Sequence, residues 1–178
     1  NNELVNNSNF QYSTGKWLFT KYDVFGRVAF TGVRSGDTNR IALQTEANNT
    51  SSQYVTKVTG SPNVSWNTNS GSILFYNNES YPTFTGGLEL YTINYYDTYT
   101  DLPKGLGTTI TTAYQVTSTT NTKGLPTISK VRVLDTKNWI TTVSYYDDKA
   151  RPIYIYSKND YLGTTDIIES KLDFTGKV

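Results

Sequence analysis

The chain has 178 residues, of which 36% are apolar, 17% charged and 14% aromatic, and 16 Lys and Arg against 15 Asp and Glu leave a net charge of +1. It contains no Cys, His or Met, which excludes Cys/His zinc sites, His-ligated haem, disulfides, thiol nucleophiles and a Ser-His-Asp triad. No basic run is longer than a pair, which argues against nucleic acid as a partner, and apolar runs of about four residues, such as residues 73–76, are too short to span a membrane.

Residues 1–15 form an Asn-rich lead-in that opens Asn1-Asn2-Glu3, without an initiator Met or an apolar leader. That opening reads as a mature or excised piece. Residues 16–178 read as one β-rich segment. Trp17 to Tyr22 has the composition of a strand, Asp23-Val24-Phe25-Gly26 of a turn, and Arg27 to Thr31 of the returning strand. Asp is favoured at the first position of a type I turn and Gly at the fourth.

Residues 34–87 read as an irregular insert, with short strands expected at residues 41–44, 53–58 and 72–76 and turns between them. Leu88 to Tyr96 reads as a strand ending at Tyr96-Asp97, and the Thr-rich run 108–119 as another. Residues 130–134 and 139–145 flank Asp135-Thr136-Lys137-Asn138 and form a second hairpin. No apolar pattern of helical period runs for ten residues or more. Thr (29), Asn (17), Ser (15) and Tyr (15) dominate the composition, supplying strands and turns. The predicted fold class is all-β, built from antiparallel hairpin repeats with very little helix.

A repeat underlies this pattern. Tyr22-Asp23-Val24-Phe25-Gly26-Arg27-Val28 returns as Tyr146-Asp147-Asp148-Lys149-Ala150-Arg151-Pro152-Ile153, read with one residue inserted at Pro152, and again as Leu172-Asp173-Phe174-Thr175-Gly176-Lys177-Val178. With Tyr96-Asp97 added, the Asp positions 23, 97, 147 and 173 lie 74, 50 and 26 residues apart, near multiples of 25. Residues 121–125 read as a worn intermediate turn. The clearest units are 17–31, 130–156 and 172–178. The motif-turn residues are Tyr22, Asp23, Gly26, Arg27, Tyr96, Asp97, Tyr146, Asp147, Arg151, Asp173 and Gly176, with the four Asp expected along one rim of the sheet.

Tyr22-Asp23-Val24-Phe25-Gly26-Arg27-Val28 resembles the YD repeat of RHS and teneurin proteins, Tyr-Asp-x-x-Gly-Arg-Leu/Val. Phe19-Thr20-Lys21-Tyr22-Asp23, Trp139-Ile140-Thr141-Thr142-Val143 and Tyr161-Leu162-Gly163-Thr164-Thr165-Asp166 resemble RHS-repeat proteins of the Bacteroidota. The resemblance covers residues 16–33 and 88–178, and residues 34–87 only weakly. It implies a β-ribbon that spirals into a hollow shell around a toxin or other cargo. The chain lacks the Pro-x-x-x-x-Asp-Pro motif of the self-cleaving RHS end and has Ala150 where the motif has Gly. It therefore matches a non-catalytic wall segment, bacterial and secreted or on the cell surface, exported by a signal outside this piece. Lys177-Val178 stops where a return strand is expected. The implied partners are the remaining strands of a parent chain or an edge-pairing protein.

Other chemistry is sparse. Asp147 and Asp148 are adjacent and would face opposite ways on a strand, so they read as turn residues rather than an acid/base pair. Asp147, Asp160 and Asp166 lack the Asp-x-Asp-x-Asp spacing of a calcium loop. No catalytic residue, cofactor or metal is expected. Asn48, Asn63 and Asn78 begin Asn-x-Ser/Thr triplets, which such a composition produces by chance. The alternative function is a self-contained β-sandwich that binds carbohydrate or a surface partner through exposed aromatics, with Trp66, Tyr154 and Tyr156 as the ligand-facing candidates.

Overall fold

The computed structural model describes residues 4–5, 15–35, 39–59, 74–83 and 88–178. Among them the chain is all-β with one short helix, in the order β1 (Leu4–Val5), β2 (Lys16–Tyr22), β3 (Val28–Ser35), α1 (Arg40–Asn48), β4 (Leu88–Asp97), β5 (Thr122–Arg132), β6 (Trp139–Tyr146), β7 (Pro152–Asn159) and β8 (Thr164–Glu169). The strands form one sheet in chain order, β1 to β8. Each pair whose register is resolved is antiparallel. Two compact units divide the chain: residues 1–93 with 134–137, and residues 94–133 with 138–178.

In the first unit β2 alternates strictly, burying Trp17, Phe19 and Lys21 on one face. Phe19 meets Phe30 of β3 edge-on at 6.2 Å, and Phe30 lies 5.7 Å from Tyr76. Burying each such ring stabilises by roughly 1.5–3 kcal/mol. Leu88, Leu90 and Ile93 of β4 complete the strand side of this core. The register shifts at Thr31/Gly32, where a side chain on Gly32 would meet the Glu89 carbonyl at 2.4 Å. Gly32 therefore sets how closely β3 and β4 approach.

The insert departs from expectation. Residues 40–48 are helical although residues 41–44 read as a strand. The Asn39 side chain caps the helix by accepting from the Ala42 N–H at 3.0 Å, and Ala, Leu, Gln and Glu inside it are good helix formers. Leu43 is the buried anchor. Residues 53–58 make only single bridges, Val55 to Asp23 and Lys57 to Tyr76, so no strand forms there. Of the strand expected at 72–76, residues 72–73 lie outside the described residues.

In the second unit Ile128, Trp139, Val143, Tyr145, Tyr146 and Ile153 are buried together with Tyr95 at the end of β4. The expected hairpin 130–145 forms, with Val131 opposite Ile140 and Arg132 opposite Trp139. The Thr-rich run 108–119 is not a strand of the sheet. It doubles back on itself through the Thr111–Thr117 bridge, with Gln115 at φ +61 and its N–H on the Thr112 carbonyl. Residues 122–125 belong to β5 rather than to a worn turn; Gly124, at φ +81, sits inside that strand.

Candidate functional site

Three aspartates build the same turn. At Asp23 the backbone closes through Asp23 N–H to the Arg27 carbonyl (2.9 Å) and Gly26 N–H to the Asp23 carbonyl (2.9 Å), with Gly26 at φ +75. One carboxylate oxygen accepts the N–H groups of Phe25 and Arg27, each at 2.9 Å. The other takes Arg27 Nε and Nη2, both at 2.7 Å. This is a three-residue hairpin loop, a type I turn followed by a left-handed residue, with both carboxylate oxygens occupied.

Asp147 repeats it bond for bond. Asp147 N–H reaches the Arg151 carbonyl at 2.9 Å and Ala150 N–H the Asp147 carbonyl at 3.0 Å. Lys149 and Arg151 N–H donate to one carboxylate oxygen at 2.9 and 3.0 Å. Arg151 Nε and Nη2 hold the other at 2.7 and 2.6 Å. The preceding register shift is also shared: Tyr22 pairs with Val28 and Tyr146 with Pro152. The offset is identical, so no residue is inserted at Pro152; Pro152 stands where Val28 stands. Burial pushes the Asp147 carboxyl up, but the bonds from Arg151 and the Arg151 and Lys149 N–H groups outweigh it and hold it below the carboxylate range.

Asp173 makes the third copy. Its N–H meets the Lys177 carbonyl at 2.9 Å, Gly176 (φ +91) donates to its carbonyl at 3.1 Å, and Thr175 and Lys177 N–H reach its carboxylate at 2.8 and 3.0 Å. Lys177 replaces the Arg, and the Thr175 hydroxyl takes its place as a side-chain donor at 2.7 Å. That hydroxyl, with the backbone bonds, holds the Asp173 carboxyl low.

Asp97 differs, and the expectation for Tyr96-Asp97 is corrected. Asp97 is itself left-handed at φ +69 and closes no Asp-x-x-Gly turn. Its carboxylate accepts from Gly124 N–H at 2.7 Å and its carbonyl from the Thr122 hydroxyl at 2.6 Å, tying the end of β4 to the start of β5. The physical reason is sequence: Thr100 occupies the place of Gly26, and no Arg follows it. Each of the four aspartates still comes at or after the end of an even-numbered strand: β2, β4, β6 or β8.

The tyrosines pack inward. Tyr99 stacks on Tyr145 at 4.7 Å and Tyr154 meets Tyr145 edge-on at 5.7 Å. Their hydroxyls are engaged: Tyr99 donates to the Ser144 carbonyl (3.0 Å), Tyr145 to Gly107 (2.7 Å) and Tyr146 to Pro126 (2.6 Å). Burial pushes the Tyr145 hydroxyl up to about 12 and raises Tyr146. Tyr154 and Tyr156 share the face of Tyr145 and Val143 and are half-buried. Trp66 lies outside the described residues, while Trp17 and Trp139 are buried.

Two arrangements were not legible in the sequence. Lys21 is fully buried, donating to the Ser80 carbonyl at 2.7 Å with its ammonium 5.7 Å from the Phe30 ring centre. Burial lowers its pKa from 10.5 to about 7. The buried Ser80 hydroxyl has no hydrogen-bond partner among the described residues, and with both groups sealed in the core they meet no solute. Second, Tyr81 donates to Glu46 at 3.1 Å while Arg34 reaches Glu46 at 3.3 Å and Tyr81 at 3.2 Å, fastening α1. Among the described residues no three acidic side chains gather as metal ligands, and Asp160 pairs with Lys158 at 2.7 Å. No described helix is long and apolar enough to cross a membrane. Compared with protein-family models, curated proteins and solved structures, the chain matches none.

Proposed function

We propose that this chain is a non-catalytic wall segment of a large, secreted or cell-surface, RHS-type bacterial protein whose β-shell encloses a toxin or other cargo. The observation that carries the reading is the recurrence of one turn, Asp carboxylate and left-handed residue included, at Asp23, Asp147 and Asp173. A catalytic or ligand site has no need of three hairpin closures built on one backbone frame, whereas a wall grows by repeating one. The polar side chains at these turns are engaged in shaping backbone. The buried tyrosines support the same reading, because the rings of Tyr99 and Tyr145 stack and the hydroxyls of Tyr99, Tyr145 and Tyr146 donate to backbone carbonyls.

Among the described residues the sheet also ends openly. β8 stands last in the strand order, and Ile167 and Ile168, on its opposite faces, are both more than half exposed. An uncovered strand of this kind is a template for another strand, which supports further strands of the parent polypeptide, or an edge-pairing protein, as the partner. Electron cryomicroscopy of the full-length polypeptide that carries this segment tests the proposal. A closed β-shell with residues 16–178 in its wall is the expected result. A separate bead with no surrounding strands overturns it, as does specific glycan-array binding by the isolated segment that Tyr154→Ala abolishes.

A further inference from the structure

Arg151 does more than close its own turn. Its Nε and Nη2 are committed to Asp147, and its remaining Nη1 donates to the backbone carbonyl of Asp173 at 2.8 Å. That carbonyl is the atom that already accepts the Gly176 N–H and so defines the next turn. The two turns touch: a side chain placed on Gly176 would lie 3.7 Å from Arg151 Nη1 and 3.8 Å from its Cδ. Lys149 adds a longer contact, its ammonium 3.5 Å from the Phe174 carbonyl. The Asp173 turn is otherwise exposed along its length, so neighbouring side chains bury little of it.

We propose that Arg151 is a rung between successive aspartate turns, its guanidinium holding Asp147 on one edge and fixing the Asp173 turn through Nη1. The requirement is for a planar fork. Three donors must point at two acceptors on different turns, which a single ammonium cannot do. Arg27 uses Nε and Nη2 on Asp23 in the same way, so both arginines of the motif commit the same two donors to their own turn. The inference concerns how adjacent turns are coupled and holds whatever the wall encloses.

Amide hydrogen exchange on the full 178-residue chain, read residue by residue by NMR, tests it with Arg151→Lys, which keeps the charge and loses the fork. The Gly176 and Lys177 amides are expected to exchange about tenfold faster, as loss of a charge-assisted bond at a partly exposed site implies. Phe25 and Arg27, in the first turn, serve as unchanged references. The Asp173 carbonyl carbon should shift at the same time. Lys149→Ala, which removes only the long contact, should change those rates by less than about twofold. Unchanged exchange at Gly176 and Lys177 in Arg151→Lys overturns the proposal. So does acceleration confined to the Asp147 turn, which would mean that residue 151 serves Asp147 alone, or an equal effect from Lys149→Ala, which would assign the coupling to charge.

Discussion

Replacing Lys21 with Met should make the protein more stable and remove most of its pH dependence between pH 7 and 9.5. Lys21 is fully buried and its pKa falls from 10.5 to about 7. Between those values the unfolded chain binds a proton that the folded chain does not, so stability rises with pH, by at most about 1.4 kcal/mol per unit. Below about pH 7 lysine is protonated in both states and contributes no slope. From pH 7 to 9.5 the rise amounts to about 3 kcal/mol for Lys21 alone. Reading stops there because Tyr81 and Tyr145 are raised to about 12; what they contribute is complete below pH 10 and fades as pH climbs toward 12. At pH 7 the lysine costs about 4 kcal/mol. Leaving the Ser80 carbonyl without its donor offsets about 1–3 of it, so Lys21→Met should gain about 1–3 kcal/mol. Urea unfolding at pH 7, 8, 9 and 9.5 measures both curves. Parallel slopes in the two proteins, or a less stable variant at pH 7, would refute the reasoning.

Asp147→Asn should cost about 2–3 kcal/mol by urea unfolding, because an amide nitrogen is turned toward Arg151 at a buried side chain. The depressed Asp147 carboxyl gives stability that is present above the ordinary carboxylate pKa and lost as pH falls through its folded value; the variant's stability should therefore fall less steeply with acidification. Ala150 holds φ +60 where the first turn has Gly26 at φ +75. Ala150→Gly should therefore raise the melting temperature by about 2 °C and Gly26→Ala lower it, as thermal denaturation will show. Gly32→Ala, whose new carbon would stand 2.4 Å from the Glu89 carbonyl, should cost more than about 2 kcal/mol and loosen the β3–β4 amides in hydrogen exchange.

The hairpins were legible because their signals are local. Asp at the first turn position, a residue able to turn left-handed at the fourth and alternating neighbours placed the β2–β3, β5–β6 and Asp147 turns within a residue or two, although β5 starts at Thr122, well before the strand expected at 130–134, and β3 runs on to Ser35. The nine-residue helix α1 was missed because it is short and anchors a single buried Leu43, giving no periodic stripe; its Asn39 cap was the available sign. The run 108–119 carried strand composition, but Gln115 reverses it, and nothing in Gln marks a left-handed turn. At Asp97 the Tyr-Asp pair was present without the Gly and Arg that make the turn, so two letters were read as seven. The burial of Lys21 was invisible for a different reason. It occupies the inward position that Tyr145 fills one residue before Tyr146-Asp147, and only its partner at Ser80, 59 residues away, reveals how an amine is accommodated there.

The turn frame has one more consequence. Its bonds use backbone groups and the first side chain, joined by the last side chain in the Asp23 and Asp147 turns, while the tip positions contribute a peptide N–H and, at Thr175 alone, a hydroxyl bond to the carboxylate. Those tips are Val24 and Phe25 in one turn, Asp148 and Lys149 in another, Phe174 and Thr175 in the third. Phe25 and Phe174 are 74% and 84% exposed. The scaffold thus separates shape from chemistry. It can carry greasy, charged or hydroxylic tips on an invariant support, so the character of that surface is open to revision two residues at a time without renegotiating the fold.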